Sequence, residues 1–183
     1  TLGDVERSVV ASRNAFNNPE WKNIDPAQRG RILNKMAAAT YANAKTLAVL
    51  ESTNNGKTFR EALSEIRFGA WTLEYFAGLA DKNEGSTIPV PGNRLNYTLR
   101  QPLGVTAHIV PWNFPLQLAI RSIAPALASG CTVIVKPASW TPLSLIAWTK
   151  AMQEAEVGLP TDVIQVITGS GGLIGDALAG HSG

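Results

Sequence analysis

Apolar residues recur at helical spacing through the first part of the chain, and then the period changes. Asp25-Pro26 offers an N-cap followed by a proline at the first helical position. Ile32, Leu33, Met36, Ala37, Tyr41, Ala44, Leu47, Ala48 and Leu50 then fall on one stripe. This predicts one helix that runs on until Asn-Asn-Gly at 54–56 ends it. Thr58 and Glu61 have the spacing of a capping box, and Leu63, Ile66, Ala70, Leu73, Phe76 and Ala77 give a second helix its buried face. Lys-Asn-Glu-Gly at 82–85 closes it. Packing accounts for these helices.

From Ser86 the period drops to two. Pro91-Gly92 is a turn signal, and Leu95, Tyr97 and Leu99 then alternate with Arg94, Asn96, Thr98 and Arg100. The pattern predicts a hairpin standing outside the main core, with Pro89 and Pro91 suited to an edge. An exposed edge of this kind is a surface for pairing with another chain.

After the hairpin, strand-like and helical patterns alternate. Strands are predicted over 104–110, 131–137 and 162–169. The first intervening helix is kinked or restarted at Pro125 and ended by Gly130. The second is capped by Thr141-Pro142 and runs to about Val157. The run Cys131–Pro137 is continuously apolar, as expected of a strand buried on both faces. Short links between alternating units imply a parallel sheet with right-handed crossovers. The expected fold is therefore an α/β, Rossmann-like, doubly wound parallel sheet that is incomplete, with N-terminal helices and a protruding β-hairpin arm. Three parts follow: a helical part over 1–85, the arm over 86–103 and a truncated βαβαβ part over 104–183.

Composition narrows the function classes. The net charge of +2 among 183 residues, with no basic run, gives no electrostatic footprint for nucleic acid. The longest apolar stretch, 116–128, is broken by Gln117, Arg121 and Ser122 and is no membrane span. A single cysteine forms no internal disulfide and fits a reducing compartment. Cytoplasm is the expected location, or an organelle matrix if a leader preceded Thr1. Two histidines give no metal cluster. Cys131 begins a buried strand and reads as a core residue, with no base or helix N-terminus to activate it.

In open parallel sheets, ligands bind beyond the carboxyl ends of the strands. Three unusual groups follow the three strands: Pro111-Trp112-Asn113-Phe114-Pro115, then Lys136-Pro137-Ala138-Ser139, then Gly169-Ser170-Gly171-Gly172 with Gly175 further on. Each has a plain explanation when taken singly. Asn113 suits a turn in which it bonds its own backbone. Lys136 at a strand end reaches either solvent or a partner, and solvent leads. Glycine-rich turns are common, and the spacing here is not the usual dinucleotide fingerprint. Placed on one sheet edge, an amide, a cation with a hydroxyl and a glycine-rich helix entrance together make a plausible nucleotide site.

The segment PLGVTAHIVPWNFPLQLAIRSIAPALASGCTVIVKPASWTPLSLIAW closely resembles the NAD(P)-dependent aldehyde dehydrogenase superfamily. The motifs PWNFP, PALA-x-G and KPA-x-x-TP carry the likeness. It extends through Trp21, Arg29 and Leu33, the TIPVPG arm and VITGSGGLIG. Family members are far longer, so the chain reads as most of their N-terminal half, cut at both ends. The resemblance implies an aldehyde substrate, oxidised to a carboxylic acid with NAD or NADP. A cysteine thiolate attacks, a hydride passes to the nicotinamide, and a glutamate-activated water hydrolyses the thioester. It implies Asn113 as an oxyanion donor. Cofactor contacts are implied for Ile109, Val110, Pro111, Trp112, Lys136, Pro137, Ala138, Ser139, Gly171 and Gly175, with no metal. It also implies a homodimer or homotetramer in the complete protein.

Two departures matter. Many NAD-preferring members carry glutamate where this chain has Ser139, and loss of that carboxylate leans towards accepting NADP. The family's catalytic cysteine and general-base glutamate lie beyond residue 183, so these residues alone are expected to be inactive. Two other readings stay open: a relative that passes the acyl group to coenzyme A, and a non-catalytic nucleotide-binding or assembly protein. The Asn113 motif argues against the last, because binding alone needs no oxyanion donor.

Overall fold

A computed structural model describes residues 1–183. Three parallel strands, β1 (Val105–Ile109), β2 (Thr132–Lys136) and β3 (Ile164–Val166), lie side by side in sequence order. Val105 pairs with Thr132 and Ile109 with Lys136 across the first pair; Val133 pairs with Ile164 across the second. Helix α6 (Pro115–Ala128) joins β1 to β2, and α7 (Leu143–Glu154) joins β2 to β3.

β2 is buried at every position because it is the middle strand and both of its faces are covered. Successive strand side chains point to opposite faces. Val133 and Val135 join the main core with the helices, whereas Ile134 joins a smaller cluster with Val5, Val9, Ile167, Ile174 and Leu178. That second cluster is supplied by α1 (Leu2–Asn17) and by the turn leading into α8 (Asp176–Ala179). β1 is an edge strand, and its Ala107 and Ile109 are exposed.

The N-terminal helices form the other half of the main core. They are α2 (Pro19–Lys22), α3 (Pro26–Ala42), α4 (Ala44–Asn55) and α5 (Phe59–Leu79). The capping box at the start of α5 forms as expected, with Thr58 and Glu61 exchanging side-chain-to-backbone bonds of 3.1 and 3.3 Å. α3 and α5 approach so closely at Gly30 that a Cβ there would lie 2.7 Å from the Ala77 carbonyl oxygen.

The structure corrects the expected local pattern in several places. The single helix from Pro26 is two helices, α3 and α4, divided at Asn43. The side-chain amide and the backbone N–H of Asn43 both donate to Ala39 O, at 2.9 and 3.1 Å, so this residue closes one helix rather than continuing it. Tyr41, assigned to the buried stripe, is exposed beside that break. α6 runs unbroken through Pro125. It ends as expected at Gly130, whose φ of 91° lies in the left-handed region that glycine tolerates. Trp21 Nε1 donates to Gly130 O at 3.0 Å and Arg29 Nε to Ala128 O at 3.1 Å, so two of the three early motif residues hold this turn. β3 is shorter than 162–169, because Asp162 takes a φ of 64° and cannot extend the strand.

The segment after α5 folds back on itself but forms little ladder. Thr87 and Tyr97 make one antiparallel bridge, flanked by Ile88 N to Asn96 O at 2.8 Å and Thr98 N to Ser86 O at 2.9 Å. Leu95, Tyr97, Leu99 and Leu103 are all exposed. No helix is long and apolar enough to cross a membrane.

Candidate functional site

At the carboxyl edge of the sheet, residues from all three strands meet. Val110 N donates to Lys136 O at 2.9 Å, extending the β1–β2 ladder by one bond. Gly175 closes the third side: a Cβ on it would lie 3.8 Å from Ile109 Cδ1 and 3.9 Å from Lys136 Cδ. Ile109, Lys136 and Gly175 are therefore mutual neighbours. Ser139 Oγ donates to Gly169 O at 3.0 Å and ties the loop after β2 to the loop after β3.

Lys136 does not reach solvent, which corrects the plain reading of that residue. It is 2% exposed, and its ammonium donates to Pro137 O at 3.0 Å. Burial pushes its pKa below the ordinary lysine value. An ammonium has three donors, so this bond leaves others to offer an oxygen-rich ligand. Val110 and Pro137 are buried, Ala138 is half-buried, and Pro111, Trp112 and Ser139 are exposed. Trp112 is 55% exposed, unusual for so large an apolar ring.

The glycine-rich entrance is a single π-helical turn, Gly171–Gly175, running into the short helix α8. Ser170 O accepts from Ile174 N at 3.0 Å and from Gly175 N at 3.4 Å. At Gly169, whose φ is 151°, a Cβ would strike Ile174 Cγ1 at 2.4 Å, so internal packing excludes a side chain. Gly171 and Gly172 differ. A Cβ on either meets no atom within 4 Å, so nothing inside the chain demands glycine there. Their bare backbone is left open to close approach from outside.

Asn113 lies beyond β1 on the rigid turn between Pro111 and Pro115, and its side chain is exposed. The turn is gripped by its carbonyls. Asn55 Nδ2 donates to Trp112 O at 2.6 Å and Lys57 Nζ to Asn113 O at 2.9 Å. Lys57 also sits 4.9 Å above the Phe114 ring and pairs with Glu65. The reading of Asn113 as a residue that bonds its own turn is thus replaced: Asn55 at the end of α4 and Lys57 in the link to α5 supply the bonds.

The same helix end caps two further helices. Phe114 precedes α6 and cannot cap it, so the first N–H groups of α6 need another acceptor. Leu116 N donates to Glu51 Oε2 at 3.2 Å. The Glu51 carboxylate is 1% exposed at the positive end of α6. Burial raises its pKa above the usual glutamate range, against the lowering effects of Ser144, Leu116 N and Lys57. At α7 the expected Thr141-Pro142 cap does not form. Asn54 Oδ1 accepts from Leu143 N at 3.2 Å instead, and Asn54 Nδ2 donates to Trp140 O at 3.0 Å. Thr141 Oγ1 is buried without a partner. Adjacent asparagines thereby fasten the loops after β1 and β2 to one helix end.

Glu51, Asn54, Asn55, Lys57 and Glu65 are absent from the sequence-derived site. The run Asn54-Asn55-Gly56 reads only as a helix terminator. Glu51, however, falls four residues after Leu47 and three after Ala48, on the buried stripe, and a carboxylate at that register is a legible signal.

The remaining candidates stay apart from this edge. Cys131 is buried, with its sulfur 3.6 Å from Ser129 Oγ. His108 lies within β1, its Nε2 2.8 Å from Thr106 Oγ1, and burial lowers its pKa. His181 pairs with Glu6 at 3.1 Å.

Known proteins resemble the chain as a whole. The family model described as "Aldehyde dehydrogenase family" matches residues 1–183. Retinal dehydrogenase 2 of Mus musculus is 42% identical over 182 residues, covering 98% of this chain and 35% of its own length. The NAD+ complex of aldehyde dehydrogenase from Bacillus cereus superposes with a TM-score of 0.94 at 38% identity, covering 98% of this chain and 36% of that one. PnpE in complex with nicotinamide adenine dinucleotide gives a TM-score of 0.93 at 43% identity, with coverage of 98% and 36%. The chain spans about a third of the length of these relatives. With the family model matching residues 1–183 and relatives aligning over 98% of the chain, the chain belongs to the aldehyde dehydrogenase family.

Proposed function

We propose that this chain forms the cofactor-binding N-terminal part of an enzyme that oxidises an aldehyde to a carboxylic acid with NAD or NADP. The observation that carries the reading is the meeting of Ile109, Lys136 and Gly175 at the carboxyl edge, beside the open glycines 171 and 172. These residues fit a dinucleotide. Lys136 holds spare donors for ribose hydroxyls, Ile109 and Gly175 offer an apolar wall, and Gly171 lets phosphate or ribose approach the backbone. Val110, Pro111, Trp112, Pro137, Ala138 and Ser139 complete the rim. What a bound nicotinamide supplies is the hydride acceptor.

Asn113 acts on the other reactant. A carbonyl under nucleophilic attack gathers charge on oxygen, and a fixed amide N–H stabilises it. The nucleophilic cysteine and general-base glutamate belong to the family pattern outside residues 1–183. Ser139 provides no carboxylate against a 2′-phosphate, which supports use of NADP as well as NAD. The exposed leucines of the arm support pairing with a second copy. The lone buried Cys131 suits a reducing location such as the cytoplasm.

The test uses the full-length protein with NAD+ or NADP+ and an aldehyde panel, with and without coenzyme A. Aldehyde-dependent cofactor reduction without coenzyme A supports the reading. An absolute need for coenzyme A assigns the acyl-transfer reaction, and nucleotide binding without reduction assigns a binding protein. Asn113→Ala should lower kcat by about 10²–10³-fold and leave nucleotide affinity unchanged.

A further inference from the structure

We propose that Lys57 is a positioning residue for Asn113, held between Glu51 and Glu65 so that it fixes the main chain from which the amide projects. The inference rests on the oxyanion role proposed for Asn113. Lys57 is the only cation in this cluster, and its side chain is 10% exposed. It contacts Glu65, Glu51 Oε1 at 3.8 Å and Asn113 O at 2.9 Å, and it covers the Phe114 ring.

The arrangement has the form of a positioning device. Two prolines restrict the turn through φ, and two side chains from a separate element seize consecutive carbonyls, Asn55 at Trp112 and Lys57 at Asn113. Glu51 anchors the far end by capping Leu116 N. Every contact this apparatus makes with the turn is to backbone or to the Phe114 ring, which leaves the exposed Asn113 side chain free to act. The two carboxylates hold the ammonium in place. Glu51 Oε1 has no hydrogen-bond partner, so Lys57 at 3.8 Å is the cation that offsets its buried charge; without Lys57 that charge is uncompensated, and the turn loses its grip at the residue that bears the amide.

The experiment is a double-mutant cycle in the full-length enzyme, with Lys57→Met, Lys57→Arg, Asn113→Ala and Lys57→Met/Asn113→Ala. Lys57→Met should lower kcat on the order of 10- to 100-fold, as expected when a reacting group is misplaced without being removed. The Kd for NAD+ should stay unchanged, and Lys57→Arg should restore most of the rate. In the Asn113→Ala background Lys57→Met should cost little more, because the group it positions is gone. An equal fractional loss in both backgrounds overturns the proposal, as does an unchanged kcat in Lys57→Met.

If Lys57→Met does not fold, Glu65→Gln replaces it in the same cycle, with the same outcomes read. If the wild-type protein oxidises no aldehyde, the functional reading fails first. Positioning is then judged by amide hydrogen exchange over 112–116. Faster exchange in Lys57→Met, reversed in Lys57→Arg, supports it, and unchanged exchange overturns it.

Discussion

Trp148 Nε1 donates a 2.8 Å hydrogen bond to Thr40 Oγ1, and Thr40 Oγ1 donates in turn to Met36 O at 2.7 Å. Both residues are fully buried, so this relay joins α7 to α3 through the centre of the main core. Trp148→Phe removes the donor and leaves a void beside a desolvated hydroxyl. A loss of about 2–4 kcal/mol is expected, read as a lower denaturant midpoint. Trp148→Phe with Thr40→Val should recover part of it, because the buried hydroxyl oxygen that lost its donor is then absent.

Gly30→Ala sets two effects against each other. Alanine favours a helix interior by about 1 kcal/mol over glycine. The new Cβ, however, would stand 2.7 Å from a backbone oxygen, Ala77 O, which no rotamer change relieves. Forcing two packed helices apart costs about 1–3 kcal/mol. Net destabilisation is expected, and a raised melting temperature in Gly30→Ala would contradict the close approach of α3 and α5.

Glu51 makes stability depend on pH in a stated direction. Burial raises its pKa in the folded state above the ordinary glutamate value. Between those two values the folded state binds the proton that the unfolded state has released, so stability falls as pH rises through that window. Glu51→Gln keeps an acceptor for Leu116 N and removes the ionisation. Urea midpoints compared from the ordinary glutamate pKa upward should show a flatter profile for Glu51→Gln. An identical slope in the two proteins would place the titration elsewhere.

Ser139→Glu tests cofactor choice and carries a structural cost. A carboxylate at 139 should raise the KM for NADP selectively, by repelling the 2′-phosphate. It also forfeits the bond that Ser139 donates to Gly169 O, which loosens the two loops for either cofactor. Ser139→Ala removes that bond without adding charge. A selective rise in the NADP value beyond that of Ser139→Ala supports the charge argument, and equal rises for both cofactors refute it.

Much of the fold was legible because burial writes a period into the chain. The continuous run at 131–137 announces a strand covered on both faces, and β2 is buried throughout. The capping box at Thr58 and the glycine stop at 130 are local signals, complete within a few residues, and both hold. What was not legible is settled between distant segments. The expected cap at Thr141 fails because Asn54, 89 residues away from Leu143, supplies the acceptor. Lys136 reads as a solvent-seeking cation until Gly175 and Ile109 are seen to close over its stem. For the site, sequence spacing gives the three loops but not the clamp, since Lys57 and Asn113 are 56 residues apart. The break at Asn43 is a competition between side-chain and backbone donors, which apolar periodicity cannot register.

The second hydrophobic cluster imposes a schedule on synthesis. Val5 and Val9 of α1 are made long before Ile134, Ile167, Ile174 and Leu178, which build the surface they cover. At about 5–20 residues per second, the apolar face of α1 therefore waits on the order of ten to thirty-five seconds for its seat to leave the ribosome. During that interval the apolar stripe of α1 has no seat within its own chain, and the sheet cannot be sealed on its second face until Leu178 has been made.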